Sequence, residues 1–77
     1  MSVSILVPNL GNEVFEAEVM EWMIDEGESI SAGEIVVTIS TSKTEIEIEA
    51  PSDGTLKRIL VREGDLTSPG AILGEIL

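Results

Sequence analysis

Two stretches of this chain lie over one another. MIDEGESISAGEIVVTI (Met23–Ile39) matches LVREGDLTSPGAILGEI (Leu60–Ile76), with Glu26-Gly27 on Glu63-Gly64, Gly33 on Gly70, Ile35 on Ile72 and Ile39 on Ile76. Upstream, ILVPNLG (Ile5–Gly11) matches IEAPSDG (Ile48–Gly54), with Pro8 on Pro51 and Gly11 on Gly54. Turns and apolar register recur together, so each copy must bend and bury at the same places. Two copies are too few for a solenoid. They fit a pseudo-two-fold sandwich or flattened barrel, in which each copy of roughly four strands buries its apolar face against the other. The first copy carries extra residues between Gly11 and Gly27, which predicts a longer loop near Asn12–Phe15.

The apolar period is two, not 3.6. FEAEVMEW sets Phe15, Ala17 and Val19 against Glu16, Glu18 and Met20. TEIEIEA points Ile46 and Ile48 one way and Glu45, Glu47 and Glu49 the other. EIVVTIS is β-branched, and no long segment carries a helical stripe behind a cap. The expected fold is therefore all-β, two antiparallel sheets in a flattened barrel or sandwich, with residues 1–77 as one domain. Pro69-Gly70 suits a type II turn. With one Trp, one Phe and no Tyr, the core must be aliphatic, and Trp22, matched by Ile59 in the second copy, reads as an anchor between the sheets.

Fifteen acidic residues against four basic ones leave a net charge of −11. That excludes nucleic acid and anionic membrane surfaces as expected partners, since phosphate neutralisation needs clustered Lys and Arg. Three of the four cations fall in LKRILVR (Leu56–Arg62), read here as scattered along the solvent side of a strand. Without cysteine there is no disulfide framework and no thiolate metal site. MSVSILVPNLG has no basic start and too short an apolar run for a signal peptide. No stretch approaches the ~20 apolar residues of a membrane helix.

The two copies join at Ser40-Thr41-Ser42-Lys43-Thr44, between strands, which predicts a central hairpin with Lys43 at its tip. By position alone Lys43 is a solvated turn lysine. Nothing apolar surrounds it in sequence to desolvate its amine, so it does not read as a preorganised base. An independent enzyme is disfavoured: the chain has no His, Cys or Tyr and is too short for an enclosed cleft. The glutamate row lies on one strand, with no loop to wrap a calcium ion, and reads either as plain solubility and edge protection or as a docking face. An interaction module whose Lys43 is never modified stays open as a different class.

From Leu6 to Ile76 the chain resembles the lipoyl domains of 2-oxo acid dehydrogenase acyltransferases, within the biotinyl/lipoyl attachment family. LVPNLGNEVFEAEVMEWMIDEGESI is similar to that family's opening, with its Pro, its Leu-Gly and its Val-x-Glu-Trp before an acidic-Gly turn. TSKTEIEIEAPSDGTL resembles the segment around the family's modified lysine. The resemblance implies lipoic acid in amide linkage on Lys43, with Ser42, Thr44, Gly27 and Gly54 serving recognition of the modification turn and Glu45, Glu47 and Glu49 docking partners. It implies a monomeric carrier domain rather than a catalyst. Its partners would be a lipoyl ligase or transferase, a thiamine diphosphate-dependent dehydrogenase, an acyltransferase core and the flavoprotein dihydrolipoamide dehydrogenase. It would work in a bacterial cytoplasm or a mitochondrial matrix. The family usually reads Glu-Thr-Asp-Lys where this chain has Ser40-Thr41-Ser42-Lys43, which points to a variant branch of acetoin or branched-chain type. A biotin carrier is the nearest rival, but its lysine usually lies between methionines. A glycine-cleavage carrier is similar in its core but longer. The chain closes just past the last predicted strand, as a stand-alone carrier or a piece of a longer acyltransferase would.

Overall fold

The alternating and β-branched stretches form eight strands in a computed structural model that describes residues 2–11 and 13–77. They are β1 (Val3–Leu6), β2 (Ala17–Trp22), β3 (Ser29–Ile30), β4 (Ile35–Ser40), β5 (Glu45–Glu49), β6 (Gly54–Ile59), β7 (Leu66–Thr67) and β8 (Ile72–Ile76). Among the described residues there is no helix. The strands make two four-stranded antiparallel sheets, ordered β1-β8-β6-β3 and β5-β4-β2-β7.

Advancing every strand by four converts the first order into the second, so a pseudo-dyad exchanges the sheets. The repeat is therefore not a sheet. Each copy gives two strands to each sheet, and the two halves interleave. The sequence match extends to individual bonds. Gly27 N–H donates to Leu56 O at 2.7 Å, and Gly64 N–H donates to Val19 O at 2.8 Å. Gly33 N–H donates to Ala50 O and Gly70 N–H to Val7 O, both at 3.0 Å. Gly27 and Gly64 sit at φ +93° and +89°, a left-handed conformation that side chains disfavour, which is why both copies keep glycine there. The turn glutamates cross over as well. Glu63 accepts from the Trp22 amide at 3.1 Å, and Glu26 accepts from the Ile59 amide at 2.8 Å.

The core lies between the sheets and is aliphatic as expected. Its members pair across the dyad: Val19 with Leu56, Val36 with Leu73, Ile39 with Ile76, Ile5 with Ile48, all buried. Trp22 joins them, and its indole N–H donates to Val61 O at 2.8 Å. Its inward direction depends on a bulge. Val19 pairs Ile39 while Glu21 pairs Thr38, so Met20 is an extra residue and the alternation is reset beyond it. Trp22, not Glu21, then faces the core.

Two expectations differ in detail. The alternation predicts Phe15 on the same inward face as Ala17 and Val19, yet it is 76% exposed. Strand β2 begins only at Ala17, so no pleat directs Phe15 inward. The longer loop predicted near Asn12–Phe15 is present from Glu13 onward, Asn12 itself lying outside the described residues. Of the cations in LKRILVR, Lys57 and Arg58 lie exposed on β6, but Arg62 lies in the turn before β7. Arg58 pairs with Glu75 at 3.4 Å and Arg62 with Glu26 at 3.7 Å. Solvent-exposed pairs of this kind contribute little to stability.

Candidate functional site

The β4–β5 hairpin has the register Ile39↔Ile46 and Ser40↔Glu45, which leaves Thr41–Thr44 as the connection, with Lys43 in it. Ser42, Lys43 and Thr44 are all exposed. Thr41 holds the turn together. Its backbone N–H donates to Thr44 O at 2.8 Å, and its hydroxyl donates to the same carbonyl at 3.0 Å. That hydroxyl oxygen also accepts from the amides of Lys43 at 3.2 Å and Thr44 at 3.1 Å. One short side chain thus takes two otherwise solvated amides and clamps the loop, as serine and threonine do in tight turns. Sequence reasoning passed over Thr41. The available signal was a hydroxyl residue two positions before the lysine, at the start of a turn with no glycine.

Lys43 forms no ion pair among the described residues. Its backbone is held by the Thr41 hydroxyl while its side chain is exposed. The small neighbours Ser42 and Thr44 leave it uncrowded.

Gly27 and Gly54 are not brought to this turn. They belong with the β3–β6 pair, where Ile30 faces Gly54 and Gly27 bonds Leu56. That pair lies past the far end of β5, a five-residue strand of about 16 Å at the usual rise. A Cβ on Gly54 would meet Ile76 Cγ2 at 2.5 Å and Leu77 O at 2.6 Å. The last residue, Leu77, exchanges backbone hydrogen bonds with Thr55. Lys43 and the C-terminal residues therefore lie toward opposite ends of the molecule.

Glu45, Glu47 and Glu49 are exposed along β5, with Ile48 buried between them, as the alternation predicts. The pairings extend the row across the sheet: Leu66 beside Glu18, Glu18 beside Ser40, Ser40 beside Glu45, and likewise Glu21, Thr38 and Glu47. Beside the lysine turn lies an open cleft of about 500 Å³ between residues 13–18, the turn residues Ser40–Ser42, and Leu66. Among the described residues no group of three or more acidic side chains is placed to hold a metal ion.

The biotin/lipoyl family model, described as "Biotin-requiring enzyme", matches residues 3–76. The chain is 40% identical over 76 residues to the dihydrolipoyllysine-residue succinyltransferase component of the 2-oxoglutarate dehydrogenase complex of Rickettsia felis, covering 99% of this chain and 19% of that one. It is 38% identical over 73 residues to the dihydrolipoyllysine-residue acetyltransferase component of the acetoin cleaving system of Bacillus subtilis, covering 95% and 18%. The chain thus spans about a fifth of the length of these relatives. Among solved structures, the lipoyl domain of the 2-oxoglutarate dehydrogenase complex from Azotobacter vinelandii superimposes with a TM-score of 0.79 at 29% identity, over 97% of this chain and 95% of that one. The Kluyveromyces lactis urea carboxylase shares the fold at 21% identity, with a TM-score of 0.83 over 100% of this chain and 6% of that one.

Proposed function

The chain belongs to the biotin/lipoyl attachment family, and we propose that it carries lipoic acid as an amide on Lys43. One observation carries this reading: Lys43 stands exposed at a hairpin tip whose backbone Thr41 clamps, toward the end of the molecule opposite Leu77. Such a lysine is open to a lipoyl ligase or transferase, and the two strands fix the point from which the arm extends. Ser42 and Thr44, in place of the methionines usual beside a biotinylated lysine, favour lipoate over biotin, as do the names of the full-length relatives.

Lipoate supplies a dithiolane able to take up acyl groups and electrons, and the chemistry is the cofactor's own. The domain supplies placement. Amide formation removes the lysine charge, and the tether keeps the group at a high local concentration near each partner site. The partners proposed are a thiamine diphosphate-dependent dehydrogenase, an acyltransferase core and dihydrolipoamide dehydrogenase, within a 2-oxo acid or acetoin dehydrogenase complex of a bacterial cytoplasm. Glu45, Glu47 and Glu49 are proposed to face a basic surface on one of them, and Ser42 and Thr44 to be read by the modifying enzyme.

Co-expression with a lipoyl ligase and lipoate tests the assignment. The expected product gains the mass of one lipoyl group on the peptide containing Lys43, and Lys43→Arg gains none while keeping the same fold. Biotin on Lys43, or no modification under these conditions, overturns it.

A further inference from the structure

We infer that the cleft beside the Lys43 turn is a resting site for the apolar end of the group carried on Lys43, with Phe15 and Leu66 as its contacts; this rests on the lipoyl reading above. Phe15 is 76% exposed and Leu66 62%, among the most exposed large apolar side chains of the protein, and both line this one cleft. Neither is needed by the core. Leu66 lies on the outer face of β7, with its neighbour Thr67 facing in, and Phe15 precedes β2. The end of β4 and the Lys43 turn contribute Ser40, Thr41 and Ser42 to the same lining. Lys43 directly follows the lining residue Ser42, so a group tethered there stays close to the cleft, and even a weak contact is populated at that effective concentration.

The chemistry of the lining selects what enters. Glu13, Glu16 and Glu18 border the same cleft, so small anions are repelled. A lipoyl amide is neutral and ends in a polarisable disulfide ring. Sulfur packs favourably against an aromatic edge, here Phe15, and aliphatic carbon packs against Leu66. The cleft's volume of about 500 Å³ is within the range of small-molecule sites. Its openness to solvent suits a carrier, which must release the group at each partner.

The test compares this chain lipoylated and unlipoylated. By NMR, lipoylation should shift the Phe15 ring and the Leu66 methyls and leave Val3 and Leu77 unchanged. Nuclear Overhauser contacts should link the dithiolane protons to Phe15. In the double variant F15S/L66S, reduction of the lipoyl disulfide by dithiothreitol should be about two- to threefold faster, as a resting state occupied half to two-thirds of the time requires. Both side chains are exposed, so the variant should keep its unfolding midpoint. Full lipoylation by mass, without contacts to Phe15 and with unchanged reduction rates, overturns the resting site alone. Contacts that arise only on adding the dehydrogenase overturn it too, and make the cleft a partner surface. Absence of any lipoyl mass overturns the carrier assignment and this inference with it.

Discussion

The ring of Trp22 stands against Gly74 across the two sheets: a Cβ on Gly74 would lie 3.1 Å from Trp22 Cη2. The two are compensating departures from the pseudo-dyad. Trp22 replaces the smaller Ile59 of the other copy, and Gly74 replaces the larger Val37. A core packed at crystal-like density admits the indole only where its opposite position is emptied.

Gly74→Ala should therefore destabilise the domain by about 1–3 kcal/mol through overpacking. Trp22→Phe should relieve only part of that cost, because the new Cβ would also lie 2.9 Å from the Arg58 carbonyl oxygen. A double-mutant cycle by urea unfolding should give a coupling above about 0.5 kcal/mol. Strict additivity would show that the ring and Gly74 do not share the space.

The two glycines expected to serve recognition of the Lys43 turn separate by mechanism. Gly27 has open space around it, and its only constraint is a φ of +93°. Gly54 combines a φ of +156° with contacts below 3 Å to Ile76 and to the Leu77 backbone. Gly27→Ala should cost about 1 kcal/mol, and Gly54→Ala several times that, since backbone atoms must move. The informative measurement is lipoylation of folded Gly27→Ala. With Gly27 at the β3–β6 end, its rate should match that of the parent. A large drop without unfolding would show that the modifying enzyme reads that end as well.

Much of this was legible in the sequence because its signals are local. Ile46 and Ile48 alternate with glutamates, and β5 lies where they predict. The repeated Gly27 and Gly64 turns revealed the dyad. Phe15 misled because periodicity marks a face only inside a strand, and the strand starts two residues later. The bulge at Met20 carries no local signal: it is set by the pairing of β2 with β4. Lys43 could be placed at a hairpin tip from the repeat alone, but the cleft beside it could not. That cleft needs β7 beside β2, a contact between residues far apart in the chain.

Thr41 should act on modification through geometry rather than contact with the lysine amine. Thr41→Val keeps the shape but loses the acceptor for the Lys43 and Thr44 amides and the donor to Thr44 O. These amides are exposed and can turn to water, so the stability loss should stay near 1 kcal/mol. Lipoylation should slow more than that loss explains, amide exchange at Lys43 and Thr44 should accelerate, and Thr41→Ser should restore both. Slow lipoylation in Thr41→Val with unchanged exchange would point to direct reading of the threonine by the modifying enzyme.

The glutamate row offers the sharpest separation of function from stability. Glu45 lies beside Ser40 at the turn end of β5, continuing the line of Glu18 and Ser40 across the sheet to its edge. Its side chain is exposed, so Glu45→Lys should change unfolding free energy by no more than about 0.5 kcal/mol. If this face meets a basic surface on the thiamine-dependent dehydrogenase, the reversal puts like charges together and lowers the encounter rate. Reductive acylation of the lipoylated variant should then be about tenfold slower at low ionic strength, and the gap should close as salt screens the field. Glu49→Lys, at the other end of β5, should slow the reaction less. Equal acylation rates for the parent and both variants at low salt would leave the row with solubility as its only role.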